Sequence, residues 1–499
     1  VGLYYSDGYE TLHKVDERGY IEVPHVHAPP EDYGLQPVVD KSQNLVTVDI
    51  PIRDRNIKAK AWAWHVGKIP VYLLDTNVEE NSEDDRKITD HLYVVDRETR
   101  LKQKIIIGIG GIRLLEKLVI TPFLYHMNEG YSSLLFFEVA RKEMREKKIG
   151  FSEAKEAARQ KIVFTNHTLV TGGDDTYNNE LAFLLLSKYA TELGVPASVL
   201  VETGNVPDSS TFSTTLLALH AAGHSNAVSR IHGKKAGEIW PNNPMIPITN
   251  GIHINSWNAV DGAASIWQSH LENKGELLKK INLAPGITWD TNTLLLVWAR
   301  SLVNYKRPLA IFENIEGLKS ILTNKEKPAR IVISGNLHPS DIADEKIFEE
   351  LRIIADGELK GLAVFLPEYD LALGKLMTAG CDVWLNTPII GFEACGTSGM
   401  KAALNGVLPL STRDGWMNEI DFYGIGWALD NDKINASILD TLEQKVIPLY
   451  YERDANNVPQ AWQQNMKNAR ELIKNKFSTT RMLREYIEKL YLPLLPQQS

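Results

Sequence analysis

Between Glu393 and Glu419 the chain reads E-A-C-G-T-S-G-M-K-A-A-L-N-G-V-L-P-L-S-T-R-D-G-W-M-N-E. Glu393 offers a carboxylate. Gly396, Thr397, Ser398 and Gly399 make a small-residue turn. Helix formers follow from Met400 up to Asn405, and Gly406 is a stop. A small-residue loop feeding a helix start presents free backbone N–H groups and the positive end of the helix dipole, which together suit an anion. Thr397 and Ser398 add hydroxyl donors. Lys401 lies one turn inside the helix. An amine beside a phosphate cradle is the arrangement of a lysine that holds pyridoxal phosphate as a Schiff base. On spacing alone, an N-cap followed by a surface lysine is the simpler reading.

Other polar residues stand where strands end. F-L-Y-H-M-N-E-G-Y carries Asn128 and Glu129, I-V-F-T-N-H-T carries His167, and P-I-T-N-G-I-H carries Asn250. Open α/β sheets place ligands at the C-terminal ends of their strands. K-I-I-I-G-I-G-G-I-R offers Gly108, Gly110 and Gly111 after an apolar run, with Glu129 further on. Arg113 occupies the third glycine position of the dinucleotide fingerprint, so a glycine-bearing buried helix is the better reading. His126, His232, His253 and His338 show no metal-ligand spacing, and no metal is expected.

The elements that must position these residues fall into two patterns. Residues 1–75 are rich in strand signals, and a charged stretch, N-V-E-E-N-S-E-D-D-R-K, reads as a solvated loop. From Thr293 onward, apolar strands (T-L-L-L-V-W-A, A-R-I-V-I-S-G, L-A-V-F-L-P, D-V-W-L-N, G-V-L-P-L-S) alternate with helices, which predicts a doubly wound parallel sheet. Residues 258–292 read as polar and irregular around a short helix. The expected class is α/β, with two Rossmann-like domains facing a cleft as in the glycosyltransferase-B architecture. The expected divisions are an N-terminal α/β domain over 1–257, a connection over 258–292, a cofactor-binding domain over 293–476, and a last helix over 477–499 that crosses back to the first domain.

Composition is consistent with an ordinary soluble protein. The 499 residues are 43% hydrophobic and carry a formal net charge of −9, which argues against general nucleic-acid binding. No apolar run approaches membrane-spanning length. Two cysteines, Cys381 and Cys395, suggest a reducing, cytoplasmic compartment. The chain opens without a methionine and inside an apolar strand, and so reads as an N-terminally incomplete piece of a longer protein.

The Glu393–Glu419 wording resembles the cofactor segment of the α-glucan (glycogen or maltodextrin) phosphorylases of the short bacterial and archaeal type, where L-N-G-x-L and D-G-x-x-x-E follow G-T-x-x-M-K. The likeness extends from V-G-L-Y-Y-S-D-G-Y to F-S-T-T-R-M-L-R-E-Y-I-E-K-L-Y. It implies phosphorolysis of an α-1,4-glucan by inorganic phosphate, giving α-glucose 1-phosphate with retention, with pyridoxal phosphate on Lys401 acting through its phosphate. It implies that Arg300 and Lys306 of W-A-R-S-L-V-N-Y-K-R hold the two phosphates. Glu393, the backbone at Gly396, Asn250, His167 and Tyr305 would meet sugar hydroxyls, with Asn128 and Glu129 on the same side. Trp257 and Tyr369 would flank the cofactor beside Thr397 and Ser398. A homodimer is an assembly to test.

This chain also departs from the family pattern. Ser301 stands where a second cation follows Arg300, Cys395 where serine is usual, Tyr131 where the short enzymes have histidine, Lys104 where glutamate is usual, and Val94 and Val95 where two glycines are usual. A Gly-rich loop that would touch both phosphates belongs upstream of Val1, so the 499 residues alone are expected to fold and turn over poorly. These departures keep a glucan-binding pseudoenzyme as a second reading. A nucleotide-sugar glycosyltransferase on the same fold is a third, against which Glu393, Thr397 and Lys401 stand.

Overall fold

The computed structural model describes residues 1–6, 12–16, 19–23, 29–92, 94–169, 176–260, 262, 265–336 and 342–495. His338 lies outside them. Among the described residues the architecture is mixed α/β with two parallel sheets, one largely antiparallel sheet and two two-stranded antiparallel pairs.

The antiparallel sheet is built on the long strand Arg55–Val66, which pairs with Thr47–Ile52, Ile69–Asp75 and Gln36–Pro37. Its sequence alternates as a one-faced strand must. Ile57, Ala59 and Ala61 are buried, while Lys58 and Lys60 between them are not. Gly2–Leu3 lies parallel to Ile69–Asp75 at the edge. The charged stretch after this sheet is more structured than a solvated loop: Ser82 caps a helical turn, Glu83–Arg86, by accepting from the Asp85 N–H.

The first parallel sheet runs, in spatial order, Ile246–Pro247, His224–Ala227, Ile162–Asn166, Tyr125–Asn128. Ile162–Asn166 is buried along its whole length, as a strand covered on both faces must be. The glycine-bearing segment is helical throughout: Arg97–Ile105, a wider π turn over Ile106–Gly110, then Gly111–Lys117.

The second parallel sheet has six strands, in the order Ala363–Leu366, Ala329–Ser334, Leu294–Ala299, Val383–Asn386, Leu408–Ser411, Trp427–Ala428. In sequence terms that is third, second, first, fourth, fifth, sixth. The direction of winding therefore reverses between Leu294–Ala299 and Val383–Asn386, and the loops leaving these two strands diverge to open a crevice.

The helix within 258–292 is not short. Ile266–Ile281 has sixteen residues, capped by Ser265, and buries Leu277, Leu278 and Ile281 against Leu295 and Val297 of the second parallel sheet. Its polar letters mislead because His270 and Lys274 are themselves buried. His270 Nε2 and Lys274 Nζ meet the two oxygens of Asp382 at 2.8 Å and 2.6 Å.

Towards the end of the chain, Thr479–Tyr486 and the π turn Ile487–Tyr491 place Tyr486 and Leu490 on Val163 of the first parallel sheet and on Ile248, which follows its Ile246–Pro247 strand. No helix among the described residues is long and apolar enough to cross a membrane.

Candidate functional site

Arg300 follows the first strand of the six-stranded sheet, and Asn386 ends the fourth. They meet at the crevice, where Arg300 Nη1 donates to Asn386 Oδ1 at 2.6 Å. Arg300 Nη2 donates to Glu393 Oε2, and both partners of that ion pair are nearly buried. Two groups with separate expected roles, one on phosphate and one on sugar, are thus joined. Glu393 is held from behind as well: its backbone N–H donates to Asp414 Oδ2 at 2.9 Å.

Gly396 opens the Thr397–Leu404 helix with φ +78°, left-handed backbone that glycine adopts without strain, and no side chain caps the helix start. This uncapped start, Gly396, Thr397 and Ser398, lines a cavity of about 360 Å³. Thr397, Ser398, Glu393, Arg300, Lys306 and Tyr369 line this cavity from the second parallel sheet's side. His167 and Asn250 line it from the first parallel sheet's side. Ser301 also borders it and is exposed.

Lys401 and Trp257 sit together beside the cavity rather than on its wall. Lys401 Nζ stands 3.8 Å from the centroid of the Trp257 ring, and burial lowers the pKa of this amine. A larger neutral fraction is what a nucleophilic lysine requires. Tyr305 lies behind Lys306, with its ring stacked on Phe392 at 6.1 Å. Burial pushes the Tyr369 hydroxyl up to about 12, so it stays protonated.

On the other wall, Asn128 Oδ1 meets His167 Nε2, and Glu129 Oε1 accepts from the His167 backbone N–H at 2.6 Å. Asn128 and Glu129 thus reach the cavity through His167. Burial lowers His167 to about 4, so its ring is neutral at physiological pH and offers hydrogen bonds without a charge. Asn250 is fixed by its own backbone: its N–H donates to Val228 O at 3.0 Å, and its carbonyl accepts from Arg481 Nη2 at 3.1 Å.

Several residues that shape the site carry no expectation from the sequence. Asn386 and Asp414 anchor Arg300 and Glu393. Glu419 and Ser229 join the two walls: Glu419 accepts from the Arg230 N–H and the Thr249 hydroxyl, and Ser229 Oγ donates to Ala394 O at 2.6 Å. The D-G-x-x-x-E motif contained the signal for Asp414 and Glu419. Among the described residues, no group of three metal-ligating side chains is placed to hold an ion.

The donor set suits pyridoxal phosphate. A half-buried amine faces an indole, an uncapped helix start offers N–H groups, and Arg300 and Lys306 supply positive charge within one cavity.

Comparison with known proteins gives one answer. A family model described as carbohydrate phosphorylase matches residues 259–491. The chain is 33% identical to a glycogen phosphorylase of Aquifex aeolicus, covering all of this chain and 81% of that protein. It is 34% identical to a maltodextrin phosphorylase of Thermococcus litoralis, over 98% of this chain and 65% of the relative. A glycogen phosphorylase of Mycobacterium tuberculosis is 31% identical over 99% of this chain and 66% of its own length.

Proposed function

This chain belongs to the carbohydrate phosphorylase family, and on that premise we propose that its cavity lies in a cleft between two Rossmann-like domains and phosphorolyses α-1,4-glucans. Glycogen or maltodextrin and inorganic phosphate are the substrates, and α-glucose 1-phosphate is released with retention. The observation that carries this reading is the cavity itself. Positive charge and an uncapped helix start stand on one wall, and neutral sugar-binding groups stand on the other.

Asn250 and the neutral His167 hold the terminal glucose, and Glu393 accepts hydrogen bonds from its hydroxyls. The N–H groups from Thr397 onward, with Arg300 and Lys306, hold phosphate. Charge-assisted bonds of this kind are about twice as strong as neutral ones. Before phosphate arrives, Glu393 neutralises Arg300, so no isolated charge stands in this nearly buried site. Lys401 would hold pyridoxal phosphate covalently, with Trp257 and Tyr369 flanking its ring. The cofactor's phosphate would supply proton exchange with the substrate phosphate.

The test uses the purified protein with maltoheptaose and phosphate. Glucose 1-phosphate should be released, and borohydride reduction followed by peptide mapping should find pyridoxyl on Lys401 and none in Lys401→Ala. A label on another lysine would overturn the assignment of Lys401. Binding of cofactor and glucan without glucose 1-phosphate release would replace the enzyme reading by the pseudoenzyme reading that Ser301 favours.

A further inference from the structure

The P-I-T-N-G-I-H segment that carries Asn250 is gripped on two sides. From the first parallel sheet's side, Ala227 O accepts the Ile248 N–H at 2.9 Å and Val228 O accepts the Asn250 N–H at 3.0 Å. The other grip comes from residues 477–481, more than two hundred positions away. Ile252 N–H donates to Phe477 O, and Thr479 N–H donates to Ile252 O, each at 2.9 Å. Ile252 and Ser478 thereby form a parallel bridge. Ile252 and Phe477 are both 3% exposed, so this join lies in the core.

Gly251 lets the two stretches of chain come so close. A Cβ on it would overlap the Ser478 carbonyl carbon and oxygen, which are backbone atoms and cannot swing aside. That closeness has a consequence for the site. Glycine has the widest choice of φ and ψ, so the peptide between Asn250 and Gly251 is the softest of the segment. A rotation of that peptide turns the backbone from which the Asn250 side chain projects, and Asn250 lines the cavity.

The carbonyl of this peptide accepts from Arg481 Nη2 at 3.1 Å. Arg481 Nη1 donates to Glu485 Oε1 at 3.0 Å, one helical turn further on. The arginine side chain is 19% exposed. A cationic donor holds a carbonyl more strongly than a neutral one, and the carboxylate at i+4 fixes the guanidinium fork.

We propose that Arg481 is a positioning residue of the sugar-binding wall: it fixes the peptide between Asn250 and Gly251, and so the asparagine that meets the glucan. The proposal rests on the phosphorolysis reading for its sugar, but the fixing of the peptide is measured without one. Arg481→Met removes the donor and keeps an apolar stem. Glu485 then still meets Lys489 Nζ. Amide hydrogen exchange over residues 246–254, without glucan or phosphate, should become about three- to tenfold faster, as the loss of one hydrogen bond implies. The maltodextrin KM should rise by about the same factor, with the phosphate KM and the pyridoxal phosphate content unchanged. Arg481→Lys keeps one cationic donor and should bring exchange and maltodextrin KM back to within about twofold of the wild type.

Exchange that stays at the wild-type rate overturns the fixing. Faster exchange with an unchanged maltodextrin KM overturns the positioning role and leaves phosphorolysis untouched. A phosphate KM that rises as much as the maltodextrin KM, or no recovery in Arg481→Lys, shows a general loss of structure and overturns the proposal as well. If Arg481→Met does not fold, Arg481→Gln is measured under the same criteria, and failure of both to fold makes Arg481 a stability residue instead. If the wild type releases no glucose 1-phosphate, the proposed function fails; the exchange measurement stands, and maltoheptaose affinity by calorimetry replaces KM.

Discussion

At the scale of residues, the proposed phosphate site turns on Arg300 and Ser301, which line the cavity together. Arg300 spends both terminal nitrogens on Asn386 and Glu393, and its exposed neighbour on the cavity wall carries no charge. Weak phosphate binding is the expected consequence. Ser301→Arg should lower the apparent phosphate KM by roughly one to two powers of ten, the equivalent of a charge-assisted hydrogen bond of about 1.5–3 kcal/mol. The glucan KM should stay nearly unchanged. Ser301 is exposed, and the folded fraction of the variant is measured alongside to separate overpacking from the gain. Initial rates at varied phosphate check this; an unchanged phosphate KM would mean that Lys306 and the helix start already suffice. The residues around this cavity were unequally legible. Gly396, Thr397, Ser398 and Lys401 form one contiguous pattern, so the sequence states their spacing directly. Glu393 and Arg300 are 93 positions apart, and nothing local says that they touch. Lys104 and Tyr131 were each visible as odd residues, but their contact, with the Lys104 ammonium 5.3 Å from the Tyr131 ring centroid, depends on how a helix packs under a strand end.

At the scale of elements, the glycines of the buried helix have a packing role, and two opposing effects can be separated there. Alanine is a better helix former than glycine by about 1 kcal/mol. At Gly108 a Cβ would lie 2.8 Å from both Leu134 Cβ and Leu135 N. The clash, worth about 1–3 kcal/mol, should win. Gly237, exposed in the Arg230–Ile239 helix, has nothing within 4 Å of such a Cβ. Gly108→Ala should therefore destabilise by about 1–3 kcal/mol, while Gly237→Ala should stabilise by about 0.5–1 kcal/mol. Urea unfolding of both variants measures the contrast, and a stabilised Gly108→Ala would show that the Leu134 turn can shift. The elements themselves were largely legible wherever burial imposed one pattern. Five of the second sheet's six strands announce themselves because they are short, largely buried apolar runs, whereas the two-residue, half-buried Trp427–Ala428 gives no such signal. The Ile266–Ile281 helix was misjudged because His270 and Lys274 read as solvent-facing. Their partner Asp382 is more than a hundred positions away, and the period of apolar residues cannot reveal a buried ion pair.

At the scale of the whole molecule, the cavity exists only if its two walls stay in register, and a few polar contacts hold them there. Glu419, from the motif after the cofactor loop, is nearly buried, with its side chain 8% exposed. It accepts from the Arg230 N–H at 2.9 Å and from the Thr249 hydroxyl at 2.8 Å. Thr249 precedes Asn250, so the same carboxylate that joins the walls also holds the loop for which a sugar-binding role is proposed. The accompanying ion pair with Arg230, at 3.8 Å and with an arginine side chain that is 77% exposed, adds little. Glu419→Ala removes both acceptors and leaves a threonine hydroxyl and a backbone N–H to find other partners. It should cost about 2 kcal/mol of stability. Because the loop carrying Asn250 would then be less fixed, the glucan KM should rise more than the phosphate KM. Glu419→Gln keeps one carbonyl acceptor of the same shape and should recover most of both effects. Thermal unfolding together with initial rates at varied maltodextrin tests the pair. If Glu419→Ala lowers stability while Asn250-dependent glucan binding is untouched, the carboxylate joins the two walls without setting the loop. If neither quantity moves, the contacts of Ser229 with Ala394 and of the Tyr486–Leu490 segment with Val163 hold the walls without it.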